Sequence, residues 1–138
     1  MNKWDSRFLD LAKLIATWSK DSSTKVGSAI VDQKNRVVSL GFNGYARGVH
    51  DSPHDRDKKL RLTIHAEENS LLFAKQDLEG YTLYVTHHPC ARCAAKIIQA
   101  GISRVVVGGH MHEKWAEETV EASLMFDSVG VEVEVLDE

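Results

Sequence analysis

The last third of the chain most constrains how it folds. Thr82-Leu83-Tyr84-Val85-Thr86 and Arg104 to Gly108 read as short buried strands, and Val131 to Val135 alternates Val with Glu like an edge strand. Between them, Cys90 to Ala100 and Glu113 to about Ser128 read as helices, the first stopped by Gly101. Strands separated by helices pair in parallel through right-handed crossovers. Upstream, Val26 to Val31 and Arg36 to Phe42 flank Asp32-Gln33-Lys34-Asn35 as a hairpin. Together these segments predict an α/β fold, a three-layer α/β/α sandwich on a five-stranded mixed sheet. Trp4, Phe8, Leu11, Ile15 and Trp18 recur at helical spacing, which predicts a first helix over 5–19 with its tryptophans in the core. Ile64 to Gln76 is a further helix. The stretch from Asn43 to Leu62 shows little regular pattern and reads as a long loop, a kind of segment that is usually functional or disordered.

Composition narrows the class. The chain has 138 residues, 43% of them hydrophobic, with two prolines and two cysteines. That suits one domain spanning 1–138 with a real core and excludes disorder. No apolar run approaches the roughly 20 residues of a membrane span, and the first residues lack a signal-peptide apolar stretch. The expectation is a soluble cytoplasmic globule without a membrane partner. The formal charge is −3, but residues 113–138 hold one lysine against nine acids. An acidic C-terminal segment is a poor surface for gripping phosphates, so no stable nucleic-acid complex is expected.

The chemistry sits at two predicted helix starts: His65-Ala66-Glu67, and Pro89-Cys90-Ala91-Arg92-Cys93. A lone Cys-x-x-Cys is ambiguous between a redox pair and half of a structural zinc site. Two thiolates and one imidazole make three good zinc ligands and leave one position open, which is what a catalytic zinc needs for water. Helix N-termini favour negative charge and lower cysteine pKa values toward the thiolate. Two thiolates cancel the charge of the metal, leaving it a moderate acid, and a carboxylate must then take the proton of the water. Residues two apart on a helix lie about 200° apart, so Glu67 need not share the metal with His65 and reads as a proton shuttle.

His-x-Glu followed by Pro-Cys-x-x-Cys is the established signature of zinc nucleobase deaminases. The chain resembles the cytidine deaminase superfamily and, within it, the deoxycytidylate deaminase branch. The resemblance runs from Ser19-Lys20-Asp21 to the last strand. It rests further on Lys25-Val26-Gly27, Gly41-Phe42-Asn43-Gly44, His65-Ala66-Glu67-Glu68-Asn69 and Ile97-Ile98-Gln99-Ala100-Gly101-Ile102. It implies hydrolytic deamination of dCMP to dUMP and ammonia, in the supply of the precursor of dTMP. It also implies one zinc per chain on His65, Cys90 and Cys93, with Glu67 moving protons between water, N3 of the base and the departing amine. By the same resemblance the Ala66 backbone meets the base edge, Asn43 the sugar, and Ser23 and Lys25 the 5′-phosphate. Relatives assemble from dimers into hexamers, so a homo-oligomer is implied.

The departures from that pattern are specific. Relatives form a regulatory site for dCTP and dTTP between subunits with the segment that here reads Asn43-Gly44-Tyr45-Ala46-Arg47-Gly48, where Ala46 replaces a proline. Gly44 and Arg47 are the candidates for such a nucleotide or phosphate contact, with Mg2+ accompanying dCTP. Where relatives carry a substrate-touching tyrosine this chain has His110, Met111 and His112; His112 either contacts substrate or faces solvent. His50 and His54 lack a third donor for a metal site, and the long loop has no cysteine for the second, structural zinc of several relatives. His87 and His88 are expected to shape the pocket floor, and Arg92 to neutralise thiolate charge. A tRNA adenosine deaminase, a free-nucleoside cytidine deaminase, a non-catalytic zinc domain and a redox Cys-x-x-Cys protein are the alternatives. Glu67 argues against the last two, since neither needs a carboxylate beside an open metal position.

Overall fold

A computed structural model describes residues 2–50, 55–109 and 116–136. His54, His110, Met111 and His112 lie outside the described residues. Helix α1 (Lys3–Ala16) starts at Asn2, whose side chain accepts the amides of Trp4 and Asp5 at 2.9 and 3.1 Å. It ends at Thr17, whose hydroxyl donates to the Leu14 carbonyl. The helix therefore stops short of residue 19. Trp18 falls beyond its end and is 57% exposed, edge-on to Phe42, so it is not a core residue as its spacing predicts. Trp4 is half-buried and stacks on Phe8.

The sheet has five strands in the order β2-β1-β5-β6-β7. β1 (Gly27–Val31) and β2 (Val37–Phe42) form the expected antiparallel hairpin, with Gly27 opposite Phe42. The chain then makes a two-residue ladder between β3 (Gly44–Tyr45) and β4 (Thr63–Ile64), separated by helix α2 (Arg56–Leu62). The long loop thus contains regular structure. Its short helix is capped by Asp55, which accepts the Lys58 amide at 2.8 Å, and it buries no residue, which explains why no apolar rhythm announces it. Helix α3 (Ala66–Ala74) is shorter than 64–76. Thr63 and Ile64 are taken by the ladder, and Lys75 turns left-handed at φ 52° to end it.

β5 (Thr82–Val85) pairs antiparallel with β1, and β6 (Arg104–Gly108) and β7 (Glu132–Leu136) follow in parallel. The crossovers are α4 (Ala91–Gln99) and α5 (Ala116–Val129). Gly101 stops α4 with φ +89°, a conformation that residues with a Cβ rarely adopt. Strand alternation sorts the two faces. Ala29, Val31, Tyr84 and Val106 pack with Phe8 and Leu9 of α1. Ile30, Leu83, Val85, Val105 and Val107 pack with Ala94 and Ile97 of α4 and Ala122 and Phe126 of α5. Among the described residues three layers result, with α1 on one face of the sheet and α3, α4 and α5 on the other. Each fully buried Leu, Ile or Phe here is worth about 2 kcal/mol of apolar transfer. Among the described residues no helix is long and apolar enough to cross a membrane.

Candidate active site

Two helix starts converge on one point. His65 is the N-cap of α3 and Cys90 the N-cap of α4, both extended in backbone, and Cys93 sits in the first turn of α4 with 1% exposure. His65 Nδ1 lies 3.2 Å from Cys93 Sγ and 3.7 Å from Cys90 Sγ. All three donor atoms fall within 4.8 Å of one another. A tetrahedral zinc with ordinary Zn–S and Zn–N bonds needs such atoms about 3.5 Å apart. The trio fits that ion, and its two sulfurs and one imidazole nitrogen suit zinc over a hard cation.

The electrostatics of the trio follow from its closeness. Hydrogen bonding from Cys93, then from His65, pulls the Cys90 thiol down to about 4 against the cost of burial. Cys93 is pushed up by its bond to Cys90 and by burial. The two thiols are thus pulled in opposite directions by the bond between them; a zinc ion held here would take both as thiolates. His65 is raised chiefly by its bond to Cys90, with burial opposing.

Glu67 occupies the second helical position of α3 and is 4% exposed. It is not one of the convergent ligand atoms. Burial is the main influence on its carboxyl, pushing it up to about 7, while the charge of His65 pulls the other way. A carboxyl held there exchanges protons readily near neutral pH. Ala66, the first helical residue, is fully buried, and its amide is one of those a helix start leaves without an intrahelical partner.

The remaining predicted residues are spread over a wider rim. Asn43 is 6% exposed and stitches two segments together: its Oδ1 accepts the Val26 amide and its Nδ2 donates to the Thr24 carbonyl, both at 2.9 Å. Lys25 and Ser23 are exposed on the segment so held. Asp21 accepts the amides of Ser23 and Thr24 at 2.8 and 3.0 Å, and Lys59 of α2 reaches over to Asp21 at 2.9 Å. Gly44 lies in the short ladder, and Arg47 is exposed with its guanidinium 6.0 Å from the Phe73 ring of α3. His87 Nδ1 meets the Thr86 hydroxyl at 2.9 Å, while His88 sits between the Pro89 carbonyl and Ser123 of α5. Arg92 is exposed.

Sequence reasoning missed several contributors. Glu68 accepts the His65 amide at 3.0 Å and pairs with Lys96 of α4, tying together the two ligand-bearing helices. The signal was there, since a carboxylate three residues after an N-cap is the capping-box spacing. Lys59 carries no such signal. Nor do Ser28 of β1, Ser39 of β2 and Ser70 of α3, which are buried where that helix meets the sheet.

The family described as the cytidine and deoxycytidylate deaminase zinc-binding region matches residues 2–109. A deaminase named for the luxG 3′ region of Aliivibrio fischeri is 49% identical, over 96% of this chain and 93% of that protein. The deoxycytidylate deaminase of Mus musculus is 36% identical, over 94% of this chain and 77% of that protein. Among solved structures, the dCMP deaminase of the cyanophage S-TIM5 in complex with dCMP and dUMP superposes with a TM-score of 0.85 at 25% identity, covering 99% of each chain.

Proposed function

The chain belongs to the cytidine and deoxycytidylate deaminase family, and we infer from that premise that it hydrolyses dCMP to dUMP and ammonia. The observation that carries the reading is the His65–Cys90–Cys93 trio with buried Glu67 two residues beyond His65 at the same helix start. His65, Cys90 and Cys93 hold the zinc, which when bound supplies the Lewis acidity that makes water a usable nucleophile at neutral pH. Glu67 takes a proton from the attacking water and delivers it to N3 of cytosine as the oxygen adds to C4. Glu67, a carboxylate again, then takes the second water proton from the hydroxyl now on C4 and passes it to the C4 amine, which leaves as ammonia as the C4 carbonyl forms. The buried Ala66 amide meets the base edge. His65 and Glu67 share one helix start, so the ligand and the proton carrier keep a fixed relation to each other.

Outside the reacting centre, Asn43 meets the sugar. One of its Nδ2 hydrogens is committed to Thr24, and an amide of this kind has a second to offer. Ser23 and Lys25 serve the 5′-phosphate, supported by Lys59, whose Nζ lies 3.3 Å from the Ser23 hydroxyl, while Gly44 and Arg47 belong to a regulatory nucleotide contact with Mg2+ and dCTP in a homo-oligomer. His112 completes the substrate set from outside the described residues. Ammonia release from dCMP, deoxycytidine, CMP and a tRNA anticodon stem-loop, with and without dCTP, tests all of this. Turnover of dCMP far above the other three is the expected result, and stimulation by dCTP the expected sign of regulation. Equal turnover of deoxycytidine removes Ser23 and Lys25 from their role, and reaction of the stem-loop alone overturns the reading.

A further inference from the structure

The first turn of the helix that carries His65 and Glu67 is not keyed to the sheet by a large apolar side chain; the helix meets the core farther along, through Ala74 and partly buried Leu71. Its buried residues are Ala66, Glu67, Ser70 and Ala74, none of them a large apolar side chain, while Leu72 and Phe73 are 65% and 52% exposed. Its main crossing over β2 is made at Gly41, where an added Cβ would run into the Ala66 carbonyl and the Ser70 amide. A backbone-on-backbone contact of that kind sets a distance but offers no interlocking shape to set depth or rotation.

Hydroxyls occupy the place where such a shape would be. Ser28 of β1 is fully buried, and its Oγ–H donates to the Ala66 carbonyl at 2.8 Å, with the Gly41 carbonyl 3.4 Å away. Ser70, also fully buried, lies 3.0 Å from Ser28 Oγ and donates to the Glu67 carbonyl at 2.9 Å. Alanine would fill either position without the desolvation cost of a hydroxyl, so what the serines add is direction. Both acceptors are carbonyls of the first turn, belonging to the residue before the carboxylate and to Glu67 itself. A third buried serine, Ser39 of β2, donates at 2.7 Å to the Ser70 carbonyl, one turn farther from the site.

We propose that Ser28 and Ser70 are positioning residues, holding the first turn of α3 at the depth and rotation at which Glu67 serves the ligand trio. The inference rests on the deaminase reading for its kinetic consequence. Displacement of a catalytic group by a fraction of an ångström to 1 Å lowers rate steeply while leaving ground-state binding nearly intact. Ser39 supplies the comparison, because losing its bond costs a similar amount of stability without loosening the first turn.

The experiment compares Ser28→Ala, Ser70→Ala and Ser39→Ala with the wild-type chain by kcat and KM for dCMP, zinc content, Tm and amide exchange. Ser28→Ala and Ser70→Ala should lower kcat at least about tenfold, with KM within about threefold and zinc still bound. Ser39→Ala should lower Tm comparably and leave kcat within about twofold. The amides of Asn69 and Ser70, which make the first bonds of α3, should exchange about tenfold faster in Ser28→Ala than in Ser39→Ala. Equal kcat losses in all three variants, or none in any, overturn the proposal. If the wild-type chain turns over no nucleotide, the deaminase reading fails separately, and unchanged exchange in Ser28→Ala still overturns the positioning role.

Discussion

Two buried carboxylates face opposite consequences of leaving water. Glu67 is governed by burial and is pushed up to about 7. Asp5, at 1% exposure, accepts from Nη1 and Nη2 of Arg104, each at 2.9 Å, and from the Tyr84 hydroxyl at 2.7 Å, and these hold it down at about 2. The first environment suits a group that gains and loses a proton near neutral pH, the second a fixed charge. Glu67→Gln should keep the fold and zinc content and lower dCMP turnover by about a hundredfold or more, read by ammonia release beside metal analysis. For Asp5, the folded pKa lies below its unfolded value of 3.8. Its contribution, about 2 kcal/mol, is therefore complete above pH 4 and lost as pH falls toward 2. Denaturant titrations should show Asp5→Asn to be about 3 kcal/mol less stable at pH 7. Between pH 4 and 2 the variant should lose less stability than the wild-type chain. Glu67 was legible in the sequence through its spacing from His65. Asp5 was not, because an acid in a first helical turn looks like an ordinary cap until Arg104, 99 residues away, is seen to meet it.

At the scale of elements, the two ligand helices are placed by what lies under and between them. Gly41 lets α3 rest directly on β2, and Gly27 lets α1 rest on β1, where a Cβ would run into the Ala12 carbonyl. Gly41→Ala must lift the start of α3, so zinc content and Tm should fall together, Tm by about 5 °C or more. A drop in Tm with zinc still at one per chain would place the strain elsewhere. The strands were legible because their apolar runs are short and bounded by turn residues. Helix α2 was not, since it buries nothing and its only signal is the Asp55 cap. The ends of α3 were misjudged for a related reason. Ile64 continues the apolar rhythm but is claimed by the β3–β4 ladder, and tertiary pairing overrides local periodicity.

The whole molecule is closed by two long-range junctions on opposite faces of the sheet. On one, Arg104 joins Asp5 of α1 and Glu134 of β7, drawing first helix and last strand onto the central strands. On the other, the His65–Cys90–Cys93 trio and the Glu68–Lys96 pair join α3 to α4. A metal on the trio binds the folded state far better than the unfolded one, so its removal should loosen this second face. Treatment with a strong chelator should abolish turnover and lower Tm by several degrees, and added zinc should restore both. An unchanged Tm would mean that the trio contributes to chemistry and not to the cohesion of the two helices.

The sequence by itself determined the spacing of His65, Cys90 and Cys93, the carboxylate beside them and which segments become strands of the mixed sheet. Each of these is written in local spacing, either two and three residues within a motif or the alternation of short apolar runs with helical ones. Tertiary structure alone decided what holds those groups still. Ser28 reaches Ala66 across 38 residues, Asn43 reaches Val26 across 17, and Lys59 reaches Asp21 across 38. A hydrogen bond between distant residues leaves no periodicity in the chain, and a buried serine reads like any other until the fold brings its partner carbonyl within reach.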